Sequence, residues 1–263
     1  MVNDITISII LPAYAEAANL PQLIHELENT FSTREDFEIL IVNDENPDGS
    51  VQIINKLMEQ YNNVKGIFSE KRLGKTKAIK IGLNRSKGDV VVVMDADLQY
   101  LSQDVPKLIK MLDKADVVNG CRVNRKDSFL RIMESRIYNL LIRLLFRVNF
   151  KDNNSGLKVF KRKVMEEIIS QPMDGLHRYF LVLSVKKGYK VIEVPIQHRP
   201  RIRGASKFSS SPFKLLRGFI DLIYVWRYVH STASQHAQIT LESDAMQYLS
   251  RLPIEKWSKT SNQ

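Results

Sequence analysis

Apolar and polar residues alternate in blocks along the first half of the chain. "ITISIILPAY" is almost continuously apolar, and "EAANLPQLIHELENTF" follows it with helical spacing. The pattern then repeats: "FEILIVND" before "SVQIINKLMEQY", "VKGIFSE" before "GKTKAIKIGLNRS", "DVVVVMDADLQY" before "DVPKLIKMLDK", and "ADVVNGCR" as a fifth strand. Short runs that are apolar throughout predict strands buried on both faces. That is the signature of an α/β fold with a mostly parallel, Rossmann-like sheet flanked by helices. Ligands of such sheets bind beyond the carboxyl ends of the strands. "LPAY", "VNDENPDGS", "MDADLQ" and "NGCR" all fall at such ends, so the pattern places a site on that edge.

The second half changes character. Phe129 to Val148 has a long helical pattern in which Met133, Ile137, Leu140, Leu141, Leu144, Leu145 and Val148 share a face, with Arg136, Arg143 and Arg147 elsewhere. "DNNSGLKVFKRKVMEEI" returns to strand and helix, and "GYKVIEVPIQHRPR" reads as a strand closed by Pro200. A basic, Ser-rich loop, "RIRGASKFSSS", precedes a wide apolar helix from about Pro212 to Val229. These two helices leave more apolar surface than a completed sheet needs, which suits basic amphipathic helices lying in a bilayer interface as well as core. The expected division is a catalytic domain over residues 1–230, with interface helices near 129–148 and 212–229, and a polar tail over 231–263.

Composition narrows the partner. The chain has 263 residues, a formal net charge of +10 and a pI near 9.6. Nucleic acid, an acidic membrane surface and a phosphorylated substrate are all anionic enough to suit it. A single cysteine, Cys121, excludes an internal disulfide and fits a reducing compartment. The N-terminal run lacks a basic leader region and reads as a strand. No stretch of about 18 uncharged apolar residues predicts a membrane span.

Asp95-x-Asp97 ends the predicted fourth strand, and Gln99 follows in step. Paired hard oxygen donors suit Mg²⁺ or Mn²⁺, which would also hold phosphate oxygens; the bland alternative is a helix cap. Tyr14 and Glu16 project above the sheet after Pro12 and could contact a nucleotide, although Glu16 also suits a helix start. Asp44 could accept from a base N–H, while Asp48 and Ser50 suit capping of the next helix. Lys75, in "RLGKTK", can face phosphate or solvent. Arg199, Arg201, Arg203 and Lys207 with Gly204 suggest a basic lid over an anionic substrate. His177 and Arg178 could bind a further phosphate or form a solvated helix end.

Together these segments resemble family-2 glycosyltransferases with the GT-A fold, and more narrowly the dolichyl- and polyprenyl-phosphate sugar transferases. The markers are "LPAYAEAANL", "IVNDENPDGS" for V-D-D-G-S-x-D-G-T, "LGKTKAIKIGL", "MDADLQY" for D-A-D-L-Q, "GCR", "SGLKVFKRKV" and "RIRGASKF" for R-x-x-G-x-S-K. Their joint order spans roughly Ile5 to Val229. The resemblance implies that Pro12, Tyr14, Glu16, Val42 and Asp44 line the nucleotide, with Asp95, Ala96 and Lys207 also on the substrates. It implies that Asp95, Asp97 and Gln99 hold the metal, and that Arg122, Arg201 and Lys207 bind the diphosphate and the acceptor phosphate. Asp97, Arg122 and Arg201 are thus the expected catalytic residues. Departures are Asn43 for the first aspartate of V-D-D, Glu45-Asn46 for Gly-Ser, and Tyr100-Leu101 for His-Pro.

The activity so implied is inverting transfer of a sugar from GDP-mannose or a UDP-sugar to a polyprenyl or dolichyl phosphate, for glycan or cell-envelope synthesis. The expected location is cytoplasmic, peripheral on the cytoplasmic face of the membrane, attached by the amphipathic helices or by a membrane partner protein. An acceptor phosphate is already an anion, so no strong general base is required. A glycan hydroxyl acceptor is the alternative; it would need a base, and Asp174 is the candidate. A nucleic-acid-binding protein, and a regulator that only binds nucleotide-sugar, are the remaining alternatives. The basic residues cluster with apolar helices and not with a base-reading motif, and Asp95-x-Asp97-x-Gln99 is complete; these features argue against both.

Overall fold

The computed structural model describes residues 6–34, 36–45, 47–123, 125, 129–170, 175–201 and 212–232. Seven strands form one sheet: β1 (Ile7–Ala13), β2 (Phe37–Asp44), β3 (Val64–Ser69), β4 (Val90–Val93), β5 (Val117–Val123), β6 (Lys158–Lys161) and β7 (Val191–Gln197). Their order across the sheet is β3-β2-β1-β4-β6-β5-β7. All neighbours are parallel except β6, which runs antiparallel to both β4 and β5. β1 continues to Ala13, with Pro12 in register opposite Val42.

Helices cover both faces. α1 (Leu20–Thr30), α2 (Ser50–Gln60) and α4 (Asp104–Lys110) pack on one side. α3 (Lys75–Arg85), α5 (Phe129–Phe146), α6 (Arg162–Ile169), α7 (Phe180–Lys186) and α8 (Pro212–Thr232) pack on the other. The strand pleat divides the core accordingly: Val90 and Val92 of β4 enter the first cluster, Val91 and Val93 the second. Each such side chain contributes about 1.5–3 kcal/mol by leaving water. This two-sided demand is why the strands read as unbroken apolar runs.

On α5, Ile142 and Phe146 are buried in the second cluster, while Met133, Ile137, Leu140, Leu144 and Leu145 are exposed. The expected apolar face is therefore mostly the outer one. Leu141 and Val148 depart from it, since Leu141 packs against the core and Val148 is buried. α8 repeats the arrangement, with Leu222, Val225 and Val229 buried and Ile220, Ile223, Tyr224 and Trp226 exposed. No helix among the described residues is long and apolar enough to cross a membrane. α8 ends at Thr232, two residues beyond the expected domain end at 230, and residues 233–263 lie outside the described part.

Candidate functional site

The carboxyl ends of β1, β2, β4, β5 and β7 open on one edge of the sheet. Because β6 is antiparallel, its amino end opens there too, and it carries the Asp152–Gly156 loop between β4 and β5. Three non-glycine residues adopt left-handed backbone on this edge: Ala15 (φ 52°) after β1, Glu45 (φ 72°) after β2 and Leu98 (φ 61°) after β4. Such conformations persist only where the surroundings impose them, and they concentrate at functional sites.

The acidic pair lies beyond β4, which ends at Val93. The chain then bends through Ala96, Asp97 and Leu98. The sequence pattern predicts an extended segment alternating through Asp95, Asp97 and Gln99; the left-handed turn at Leu98 replaces it. Ala96 turns inward and is buried in the core. The Gln99 amide donates to the Arg199 carbonyl at 3.4 Å, and its backbone N–H donates to Asp97 Oδ1 at 3.2 Å. Gln99 thus ties the Asp97 turn to the end of β7.

Both carboxylates carry a basic partner from another element. Asp95 is ion-paired with Lys75 of α3, and both side chains are about one-third exposed. Asp97 pairs with Arg201 Nη2 at 2.7 Å, and the same guanidinium lies 3.6 Å from Glu16. Burial raises the Asp97 pKa, and the charge of Asp95 raises it further, while Arg201 opposes both.

The residues expected around a nucleotide divide into two groups. Val42 is fully buried in the sheet and Pro12 is half-buried in β1, so they shape the floor. Tyr14, Glu16 and Asp44 reach the edge but hold protein partners. Arg72 lies 4.2 Å over the Tyr14 ring. Glu16 accepts from Asn19 Nδ2 at 2.5 Å. Asp44 accepts the backbone N–H groups of Leu73 and of Gly74, the latter at 2.9 Å. Asp48 accepts from Ala17 N at 2.8 Å and from Ser50 N at 3.3 Å, linking the loops after β1 and β2. Asn43 is fully buried near the carboxyl end of β2, so the departure from V-D-D lies beneath the surface beside Asp44.

Arg122 forms a two-pronged pair with Asp152, at 2.7 Å from Nε and 2.8 Å from Nη2, and its backbone N–H donates to the same carboxylate. Burial opposes ionisation of Asp152, but this fork outweighs it and holds the pKa below the usual carboxylate value. Lys207, Arg203 and Gly204 of the expected lid, and Asp174, lie outside the described residues. Arg199 and Arg201 of that segment are described: Arg199 pairs with Glu26 at 2.9 Å, away from Asp97. Arg178 lies 3.9 Å from Asp221 of α8, and His177 Nδ1 is 2.9 Å from Thr76 Oγ1.

Sequence reasoning did not single out Asp152, Gly156 or Lys158. Gly156 accepts the Asp95 N–H at 3.2 Å, and its own N–H donates to the Tyr100 hydroxyl at 2.5 Å. Lys158 is buried, its ammonium donates to the Ser155 carbonyl, and burial followed by the Lys75 charge brings its pKa down to about 7. An antiparallel strand carrying "DNNSG" at its amino end was the available signal; nothing local shows that it inserts beside β4.

The donor chemistry fits a hard divalent cation. Asp95 and Asp97 are close enough for one charge to shift the other, and each is balanced by one basic side chain. Mg²⁺ and Mn²⁺ sites of this kind use one or two carboxylates and complete their shell with substrate phosphates and water. Among the described residues no group of three His, Cys, Asp or Glu comes together.

The model of glycosyl transferase family 2 matches residues 8–169. The undecaprenyl-phosphate 4-deoxy-4-formamido-L-arabinose transferase of Pseudomonas fluorescens (strain Pf0-1) is 30% identical over 220 residues, covering 82% of this chain and 64% of the relative. That of Photorhabdus laumondii is 30% identical over 223 residues, covering 82% and 66%. The chain thus spans slightly less than two thirds of these relatives. Among solved structures, glucosyl-3-phosphoglycerate synthase of Mycobacterium tuberculosis, in complex with Mn²⁺, UDP-glucose and phosphoglyceric acid, superposes with a TM-score of 0.66 at 19% identity, over 86% of this chain and 80% of that one. The mannosyltransferase PcManGT of Pyrobaculum calidifontis, in complex with GDP-mannose and Mn²⁺, gives 0.57 at 16% identity, over 94% and 79%. These likenesses establish the GT-A fold. With the family model spanning the sheet from β1 through α6, the acidic pair after β4 included, the chain belongs to glycosyl transferase family 2.

Proposed function

We propose that the protein transfers a sugar from a nucleotide-diphosphate donor, GDP-mannose or a UDP-sugar, to a polyprenyl phosphate at the cytoplasmic face of a membrane. The observation that carries this reading is the acidic pair Asp95 and Asp97, each neutralised by a basic side chain from a different element. The relatives support a polyprenyl phosphate acceptor, and the exposed apolar stripes of α5 and α8 suit a lipid surface.

Asp95 and Asp97 would hold Mg²⁺ or Mn²⁺, which when bound offsets the charge that develops on the departing diphosphate. Gln99, whose backbone N–H fixes the Asp97 turn, would be the third residue at the metal. Tyr14, Glu16 and Asp44 border the nucleotide from the loops after β1 and β2. Arg201, beside Asp97, and Arg122, fixed by Asp152, align the acceptor phosphate for attack at the anomeric carbon. The acceptor oxygen is already anionic, so catalysis rests on positioning and charge stabilisation. Inversion follows from a single in-line displacement.

The test is a panel of nucleotide-sugars with Mn²⁺, each paired with a short polyprenyl phosphate or with a sugar alcohol. Labelled lipid product with at least one donor is expected, and Asp97→Ala should abolish it. Faster transfer to the sugar alcohol would overturn the lipid acceptor.

A further inference from the structure

Two carboxylates at the site carry two separate unit cations, Lys75 on Asp95 and Arg201 on Asp97. One divalent ion supplies the same charge as that pair of side chains. Its entry would therefore leave the balance at the carboxylates unchanged and release two basic groups beside the incoming phosphates. Arg201 already has a place in the proposed function; Lys75 does not.

Lys75 is built for such an exchange. It is the first residue of α3, directly after Gly74, whose φ of 80° suits only glycine. The Leu73 and Gly74 N–H groups are held by Asp44, so the root of Lys75 is fixed to the end of β2. Its head is about one-third exposed, as is Asp95, so the pair sits at the mouth of the site and not in its floor. Behind it the floor offers no free anion: the Asp152 carboxylate is held by Arg122, and buried Lys158 is basic. Displaced from Asp95, the ammonium has no gain in turning inward and finds its next anion outward, where the donor phosphates lie. A lysine is suited to this because its charge is a point on a flexible stem with no fixed bonding plane.

Resting on the reading of a metal-assisted nucleotide-diphosphate site, we infer that Lys75 is a placeholder for the divalent cation. It neutralises Asp95 in the ligand-free protein and moves onto a diphosphate oxygen when the metal-bound nucleotide enters. Metal alone must displace it with no anion to receive it; metal with diphosphate does not. The two ligands are therefore positively coupled through Lys75, each tightening the other by the same factor.

The test uses the full chain, with free Mn²⁺ followed by electron paramagnetic resonance and with UDP and GDP as probes. Lys75→Met should bind Mn²⁺ alone about five- to tenfold more tightly, and should lose about tenfold in diphosphate affinity at saturating Mn²⁺, a factor within ordinary coupling strengths. Lys75→Arg, which keeps the charge but not the point-like head, should fall between wild type and Lys75→Met in both. Unchanged or weaker Mn²⁺ binding by Lys75→Met would overturn the placeholder. In the wild-type protein, acylation of Lys75 read by mass spectrometry should quicken with Mn²⁺ alone and slow with Mn²⁺ plus nucleotide diphosphate. Equal rates in the two conditions would also overturn it. If the wild type binds neither nucleotide diphosphate with Mn²⁺, the functional reading falls and the exchange with it. If it binds one and the lysine variants behave alike, the exchange alone falls.

Discussion

Gly156 has no side chain, and the Asp95 carboxylate fills the space one would need. A Cβ there would lie 2.1 Å from Asp95 Oδ2 and 3.0 Å from Tyr100 Cε2. Gly156→Ala should therefore push Asp95 out of place and weaken Mn²⁺ binding about 10–100-fold, the usual cost of losing a group that orients a metal ligand. Titration of Mn²⁺ in the presence of UDP or GDP checks this. Lys158 invites a different measurement. Its pKa falls from 10.5 to about 7 on folding, so the unfolded chain holds the extra proton between those values. Burying it costs nothing extra above pH 10.5, and the cost grows as pH falls toward 7. Lys158→Met should be more stable than wild type at pH 7 by several kcal/mol, since each tenfold difference in proton affinity between the folded and unfolded chain is worth about 1.4 kcal/mol. The difference should shrink at about pH 9.5. Urea denaturation at both pH values reads the two stabilities, and a constant difference would refute the assignment.

At the level of elements, α5 has to satisfy two surroundings. Its inner positions behave as core: Phe146 is fully buried and meets Tyr179 edge to face at 6.3 Å. Phe146→Ala should cost about 3–5 kcal/mol in urea unfolding. Its outer stripe has no such role. Ile137 and Leu144 are 56% and 67% exposed, so changing both to Glu should alter stability by no more than about 0.5 kcal/mol each. The same double variant should sediment less with liposomes than wild type. Equal sedimentation would detach α5 from membrane association and leave that role to α8 or a partner. The helical period of 129–148 was legible because it is local. Which apolar positions faced inward was not, because that depends on where α7 and α8 pack.

Across the whole molecule, the charges at the site balance without any added ion, through Lys75–Asp95, Arg201–Asp97 and Arg122–Asp152. A divalent cation is thus a ligand of the site and not a staple of the fold. EDTA should leave the thermal midpoint of the ligand-free protein unchanged while abolishing the upward displacement produced by Mn²⁺ with UDP or GDP. A fall in the ligand-free midpoint would show that the metal holds the fold.

The amino-acid sequence by itself determined the order of strands and helices, the two amphipathic helices and the edge that carries the site. A strand buried on both faces must be apolar throughout, and polar residues at its end must leave the core; both are local demands. It did not show that β4 stops at Val93, that Ala96 turns inward, or that Gln99 serves the turn after Asp97. Nor did it show the partners of Asp95, Asp97 and Arg122, which lie 20, 104 and 30 residues away in the chain. Those pairings were decided by tertiary structure: α3 brings Lys75, the segment after β7 brings Arg201, and the antiparallel insertion of β6 between β4 and β5 brings Asp152. An ion pair needs its two groups within a few ångströms, and only the packed sheet sets that distance.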